Sequence, residues 1–135
     1  MKKLVSSAVL ALVTATGCVG PNTGGLAVAL GEGDGQAVVS VDDVAFSKHV
    51  AVEEAFVRRA TTGFLEARVR VCNRFDRDFQ VQYKFEWFDD AGLESQPGGR
   101  PWEVLTLHGG ENASLAAVAP EKCAVKFIAL MRRVR

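Results

Sequence analysis

An all-β fold, an immunoglobulin-like antiparallel β-sandwich of about seven strands, is predicted by three features of this sequence. The first is the segment FQVQYKFEW, which puts Phe79, Val81, Tyr83, Phe85 and Trp87 on one face and Gln80, Gln82, Lys84 and Glu86 on the other. The second is FLEARVRVCN, with Leu65, Ala67, Val69 and Val71 on one face and Glu66, Arg68, Arg70 and Cys72 on the opposite one. A period of two marks a half-buried antiparallel strand. The third is a turn signal about every 8–12 residues over about 100 residues, the spacing of a small sandwich.

The elements follow in chain order. Met1-Lys2-Lys3 is a short positive start, and Leu4 to Val13 is apolar apart from two serines. This is the layout of a secretory signal peptide over residues 1–17, and the apolar run is far shorter than the roughly 20 residues that span a bilayer. From Cys18 to Gly35 the chain is rich in glycine and poor in bulky residues, which predicts a flexible tether over 18–35. The folded domain is then 36–135.

Within that domain AVVSVDDVAFS reads as an opening strand with a bulge at Asp42-Asp43. Residues 48–60, KHVAVEEAFVRRA, compete as a helix. Their apolar positions make no continuous stripe at helical spacing, so they read as extended. Asp89-Asp90-Ala91-Gly92 and Gly109-Gly110 are turns, and Pro97 to Pro101 is a loop. WEVLTLH, NASLAAVAP and CAVKFIALMRRVR complete the strands.

Ala15-Thr16-Gly17-Cys18 resembles the lipobox of bacterial lipoproteins. The resemblance implies a diacylglycerol on the Cys18 sulfur and acylation of the new amino group. Two or three chains, at about 0.8 kcal/mol per buried CH₂, anchor stably where one would be marginal. Val19 stands where an aspartate would imply inner-membrane retention, so the expected address is the outer membrane, facing the periplasm.

Charge excludes some partners. Lys+Arg and Asp+Glu are both 16, and removal of residues 1–17 takes only Lys2 and Lys3, leaving a net charge of about −2. Nucleic acid requires a basic stripe, which is missing here. Attachment to lipid must come from the anchor and not from a polybasic patch.

With Cys18 assigned to lipid, Cys72 and Cys123 remain as a pair. In an oxidising compartment a bridge between them is expected, closing a loop of about 50 residues and contributing roughly 3–4 kcal/mol. Their strand faces do not match, and two separate thiols are the alternative.

The segments VCNRFDRDFQVQYKFEWFDDAGLE and PWEVLTLHGGENASLAAVAPEKCAVKFIALMR resemble the YcfL-type family of bacterial lipoproteins. Asn73, the Tyr83–Asp89 run with Gly92, Trp102, Leu105, Gly109-Gly110 and Val118-Ala119-Pro120 carry the resemblance over residues 64–133. It implies an immunoglobulin-like sandwich on a lipid anchor and supplies no reaction. The cysteine pair departs from the family pattern.

No catalytic constellation emerges. His49 and His108 lie in no metal-binding spacing, and the acidic pairs Asp42-Asp43, Glu53-Glu54 and Asp89-Asp90 point to opposite faces if extended. Asp76 and Asp78 share a face or loop without an EF-hand pattern. The expectation is a non-enzymatic module with no metal and no cofactor. It would bind an envelope protein through a loop end or an unpaired strand edge. Phe88, Arg100 and Trp102, around the 95–102 loop, are the candidate contact residues. The alternative is a small-ligand or glycan module that stacks its ligand on exposed aromatics.

Overall fold

The computed structural model describes residues 24–97 and 100–134. The signal peptide and Cys18 lie outside the described residues. Eight strands and one short helix form two antiparallel sheets. The strands are β1 (Gly25–Gly31), β2 (Val38–Val41), β3 (Val50–Arg59), β4 (Leu65–Asn73), β5 (Phe79–Phe88), β6 (Glu103–Leu107), β7 (Asn112–Val118) and β8 (Lys126–Arg133). Helix α1 spans Val44–His49. The sheet orders are β2-β1-β8-β5-β6 and β3-β4-β7. The fold is all-β and sandwich-like, with one strand more than the sequence pattern suggests.

The extra strand is β1, which corrects the expected tether. Gly25–Gly31 pairs with β2 on one side and with β8 on the other, and most of its residues are buried. Leu26, Val28 and Leu30 enter the core. Glycine permits the pairing at its start: a Cβ on Gly25 would stand 2.0 Å from the carbonyl oxygen of Met131. At Gly25 the small residue is required because the neighbouring strand lies against it.

A second correction concerns the opening strand. It stops at Val41, and Asp43 caps α1 by accepting a hydrogen bond from the Phe46 amide at 3.2 Å. Lys48 and His49 occupy the last turn, where the helix dipole favours positive charge. The turn of helix carries Phe46 inward to full burial. As a strand, the same residues would have sent Asp43 and Ala45 to one face together. Residues Val50–Arg59 are extended as expected, with the bulge at Val52/Glu54 and not at Asp42-Asp43.

Between the sheets β4 and β5 present the alternating faces read from sequence. Val69, Val71, Val81 and Trp87 are fully buried. Trp87 and Phe85 pack on Phe127 of β8 with ring centroids 6.0 and 5.6 Å apart. Each such large side chain contributes roughly 1.5–3 kcal/mol by leaving water. Turn 89–92 is held by Asp89, whose Oδ1 accepts from the amides of Ala91 and Leu93, both at 2.9 Å.

Among the described residues Asn73 is the one fully buried polar residue, and it is saturated. Its Nδ2 donates to the carbonyls of Arg77 (2.8 Å), Leu107 (3.0 Å) and His108 (3.2 Å), and its Oδ1 accepts from Phe75 N at 3.0 Å. It thereby fixes the β4–β5 connection against the Gly109-Gly110 turn. That turn is tight enough that a Cβ on Gly109 would lie 2.4 Å from the Asp76 carbonyl carbon.

The expected disulfide is not formed. Cys72 is half-buried and free, and Cys123 is exposed and free. Cys123 lies in the turn before β8, beside the Leu65 end of β4, because Ala119 N donates to Leu65 O at 2.8 Å. Cys72 is seven residues along the same strand, about 23 Å at strand rise, far beyond the Cα separation a bridge allows.

Two predictions follow from this architecture. Asn73→Ala strands three carbonyls and one amide, and should cost about 2–4 kcal/mol, read as a fall in Tm of more than about 8 °C. A chain starting at Gln36 should show no cooperative melt by circular dichroism, whereas one starting at Gly24 should melt like the full chain. Equal melting of the two would make β1 dispensable.

Candidate functional site

Of the residues expected to meet a partner, Trp102 precedes β6 and lies over the outer face of the five-stranded sheet. Its ring carries the Arg132 guanidinium carbon at 3.8 Å and Lys84 Nζ at 5.0 Å. Arg132 Nε also donates to Gln82 Oε1 at 2.9 Å. The ring thus covers its own sheet as a cation–π lid instead of offering a bare stacking surface. Phe88 sits at the far end of β5, half-buried, opposite Lys126 and Glu94. Glu103, next to Trp102, pairs with Tyr83, so Phe88 and Trp102 stand well over 10 Å apart along the sheet. Arg100 is half-buried, with its Nε buried and without a hydrogen bond. The structure does not bring these three side chains into one patch.

The remaining polar candidates serve local structure. His49 stacks between Phe75 and Phe79 at 3.8 and 4.7 Å, with Nδ1 at 3.2 Å from the Ala45 carbonyl. His108 pairs with Asp78 at 3.2 Å. Glu53 and Glu54 both lie near Arg70. Arg59 binds Glu32 and donates to the carbonyls of Gly63, Lys122 and Ala124, tying the end of β1 to two turns. The Glu32 hydrogen bond raises its pKa. Burial raises the Glu86 carboxyl above its ordinary range, and Glu94 adds to this, while Lys84 opposes it. Among the described residues no group of three metal-ligating side chains converges.

Sequence reasoning named an unpaired edge without saying which. The structure offers four, and three are defended. β2 is only four residues long and runs into Asp42-Asp43. β6 is five residues behind Pro101. β3 is bulged and carries Glu53, Glu54, Arg58 and Arg59.

β7, NASLAAV, has no charge, no proline and no bulge. It pairs with β4 alone. The bonds Ala119 N to Leu65 O and Asn73 N to Glu111 O aim the odd-numbered residues of this segment at β4. The amides and carbonyls of Asn112, Ser114, Ala116 and Val118 therefore point outward, and all four residues are exposed. Among the described residues nothing pairs with these groups. The adjoining outer face carries Phe56 (39% exposed) and Val118 (53%), under an open depression of about 830 Å³. The signal for this edge was present in the sequence as an uncharged strand, but its edge position is set by long-range pairing.

The comparisons with known proteins agree with this fold. No curated protein matches the chain. A crystal structure of a DUF1425 family member from Shewanella sp. pv-4 is similar at 31% identity and TM-score 0.58, covering 64% of this chain and 79% of that one. The crystal structure of Campylobacter jejuni cj0090 shares the fold at 23% identity and TM-score 0.54, covering 62% and 85%. The model of a protein family of unknown function, DUF1425, matches residues 36–132, from just before β2 to the penultimate residue of β8. The chain belongs to the DUF1425 family.

Proposed function

We propose that this chain is a YcfL-type lipoprotein, anchored to the outer membrane through Cys18 and facing the periplasm. In this reading it is non-enzymatic and binds protein by taking an extended segment of another chain onto β7. The anchor reading rests on the lipobox-like Ala15–Cys18 behind Lys2-Lys3 and the apolar Leu4–Val13 run. The binding reading rests on one observation: β7 presents four outward backbone donor–acceptor pairs with none of the devices that defend the other edges. Strand addition satisfies such groups directly. The 95–102 loop supports it less well, since Trp102 is already engaged by Arg132 and Lys84.

Two experiments test this. Cells fed an alkyne fatty acid should label the wild type and not Cys18→Ala; equal labelling of both refutes the anchor. Ser114→Pro removes an outward amide and no bond to β4, so the fold should persist while strand addition is blocked. Crosslinking in intact cells should lose its protein adducts about tenfold in this variant. An unchanged adduct pattern refutes β7 as the docking edge.

A further inference from the structure

We infer that the segment added to β7 carries a carboxylate, an Asp or Glu opposite Ala116, and an apolar residue two positions away opposite Val118. The group that recognises the carboxylate is Arg68. The inference rests on the proposed docking edge and names the chemistry of its occupant.

The charges on the outer face of the three-stranded sheet follow its rows of paired residues. In the row Arg58–Glu66–Val118 the two charges meet each other, with Arg58 Nε 2.8 Å from Glu66 Oε1. In the row Glu54–Arg70–Ser114 the arginine lies 3.4 Å from Glu54 and 3.8 Å from Glu53. Between them runs the row Phe56–Arg68–Ala116. Neither flanking side chain of Arg68 can accept a hydrogen bond, and the carboxylates of the adjacent rows are engaged by other arginines. Arg68 is exposed, and among the described residues it has no carboxylate partner. The depression beside the edge is accordingly lined by two arginines, Arg58 and Arg68, against Glu66 alone.

Strand addition aims a side chain at this arginine. Ala116 turns its amide and carbonyl away from β4, so an antiparallel segment exchanges two hydrogen bonds with it. The residue making them shares Ala116's face, where a methyl group leaves the path to Arg68 open. The gap is two strand spacings, about 10 Å, which long side chains close from both ends. An arginine and a carboxylate then form a charge-assisted pair. Two residues along, a side chain opposite Val118 meets the apolar surface of Val118 and Phe56, both exposed.

Other occupants fit less well. The β7 strand of a second copy, NASLAAV, brings no acid and leaves Arg68 unmatched. A basic segment sets like charge against it. The mature chain's net charge of about −2 is spread over distances that exceed the screening length of about 8 Å, whereas the Arg68 pair forms within it.

The test places an amine at position 68 of the full-length chain. Arg68→Lys keeps the charge of an exposed side chain, so the fold persists. A water-soluble carbodiimide added to intact cells joins an amine to a carboxylate in contact with it. The amide bond forms, and the carbodiimide takes up the water as its urea. Mass spectrometry should find the new lysine linked to an Asp or Glu of another protein, with an apolar residue two positions away. Adding Ser114→Pro should reduce this adduct about tenfold. In the crosslinking used for Ser114→Pro alone, Arg68→Glu should reduce the protein adducts about fivefold.

A lysine linked to nothing, linked only to this protein's own sequence, or linked equally in the presence of Ser114→Pro overturns the acidic occupant. So does an Arg68→Glu variant with unchanged adducts. If Ser114→Pro by itself still removes adducts in those cases, the docking edge stands with an occupant of other chemistry. If it removes none, both readings fall.

Discussion

The pairing of the first strand with the last holds this domain together. β8 lies in the middle of the larger sheet, bonded to β1 on one side and β5 on the other. Its inward residues Phe127, Ala129 and Met131 are fully buried. Without β1, the Leu26, Val28 and Leu30 layer is gone and β8 becomes a long apolar edge. Gly25 permits this pairing, because the Met131 carbonyl occupies the space a side chain would need. β1 and β8, about 100 residues apart in sequence, must therefore meet before the core is complete, a non-local requirement that slows folding relative to local contacts. Arg59 reinforces the same junction from the other sheet by binding Glu32, just beyond β1, and the carbonyls that precede β8.

The two outer faces then differ in kind. On the five-stranded sheet Trp102, Arg132, Lys84 and Gln82 cover one another, while Val104 beside them stays exposed. On the three-stranded sheet Phe56, Ala116 and Val118, with Arg58, Glu66 and Arg68, lie beside an edge that nothing among the described residues completes. The asymmetry follows from strand count. Five strands give β1, β8 and β5 neighbours on both sides and leave only short ends exposed. With three strands, β4 alone has neighbours on both sides.

Much of this was legible from local pattern. The faces of β4 and β5 were readable because each strand has one wet side, and alternation is what a half-wet strand imposes. Within residues 48–60, Val50–Arg59 are extended as read because no helical stripe exists there, whereas Lys48 and His49 close helix α1. What failed was set by context. β1 is small and apolar on both faces, so its composition matches that of a linker. Helix α1 hides in a run that looks extended until Asp43 is recognised as a cap. The cysteine pair was chosen by arithmetic, and arithmetic carries no distance; the mismatch of strand faces was the better guide. For the site, an unpaired edge was foreseeable as a class. Its identity was not, since only the pairing of β4 with both β3 and β7 decides which strands end a sheet.

An edge without defences is informative because the same chain defends its others. Short length in β2 and β6, a proline before β6, and charges with a bulge in β3 each block unplanned strand addition. Their absence from a seven-residue strand is not explained by the core, since its outward side chains Asn112, Ser114, Ala116 and Val118 are all exposed. Leaving β7 plain has a price only if exposed strand pairing is harmful, and none if the edge is covered. The proposed addition of another chain would account for both the sequence of β7 and its position in the sheet.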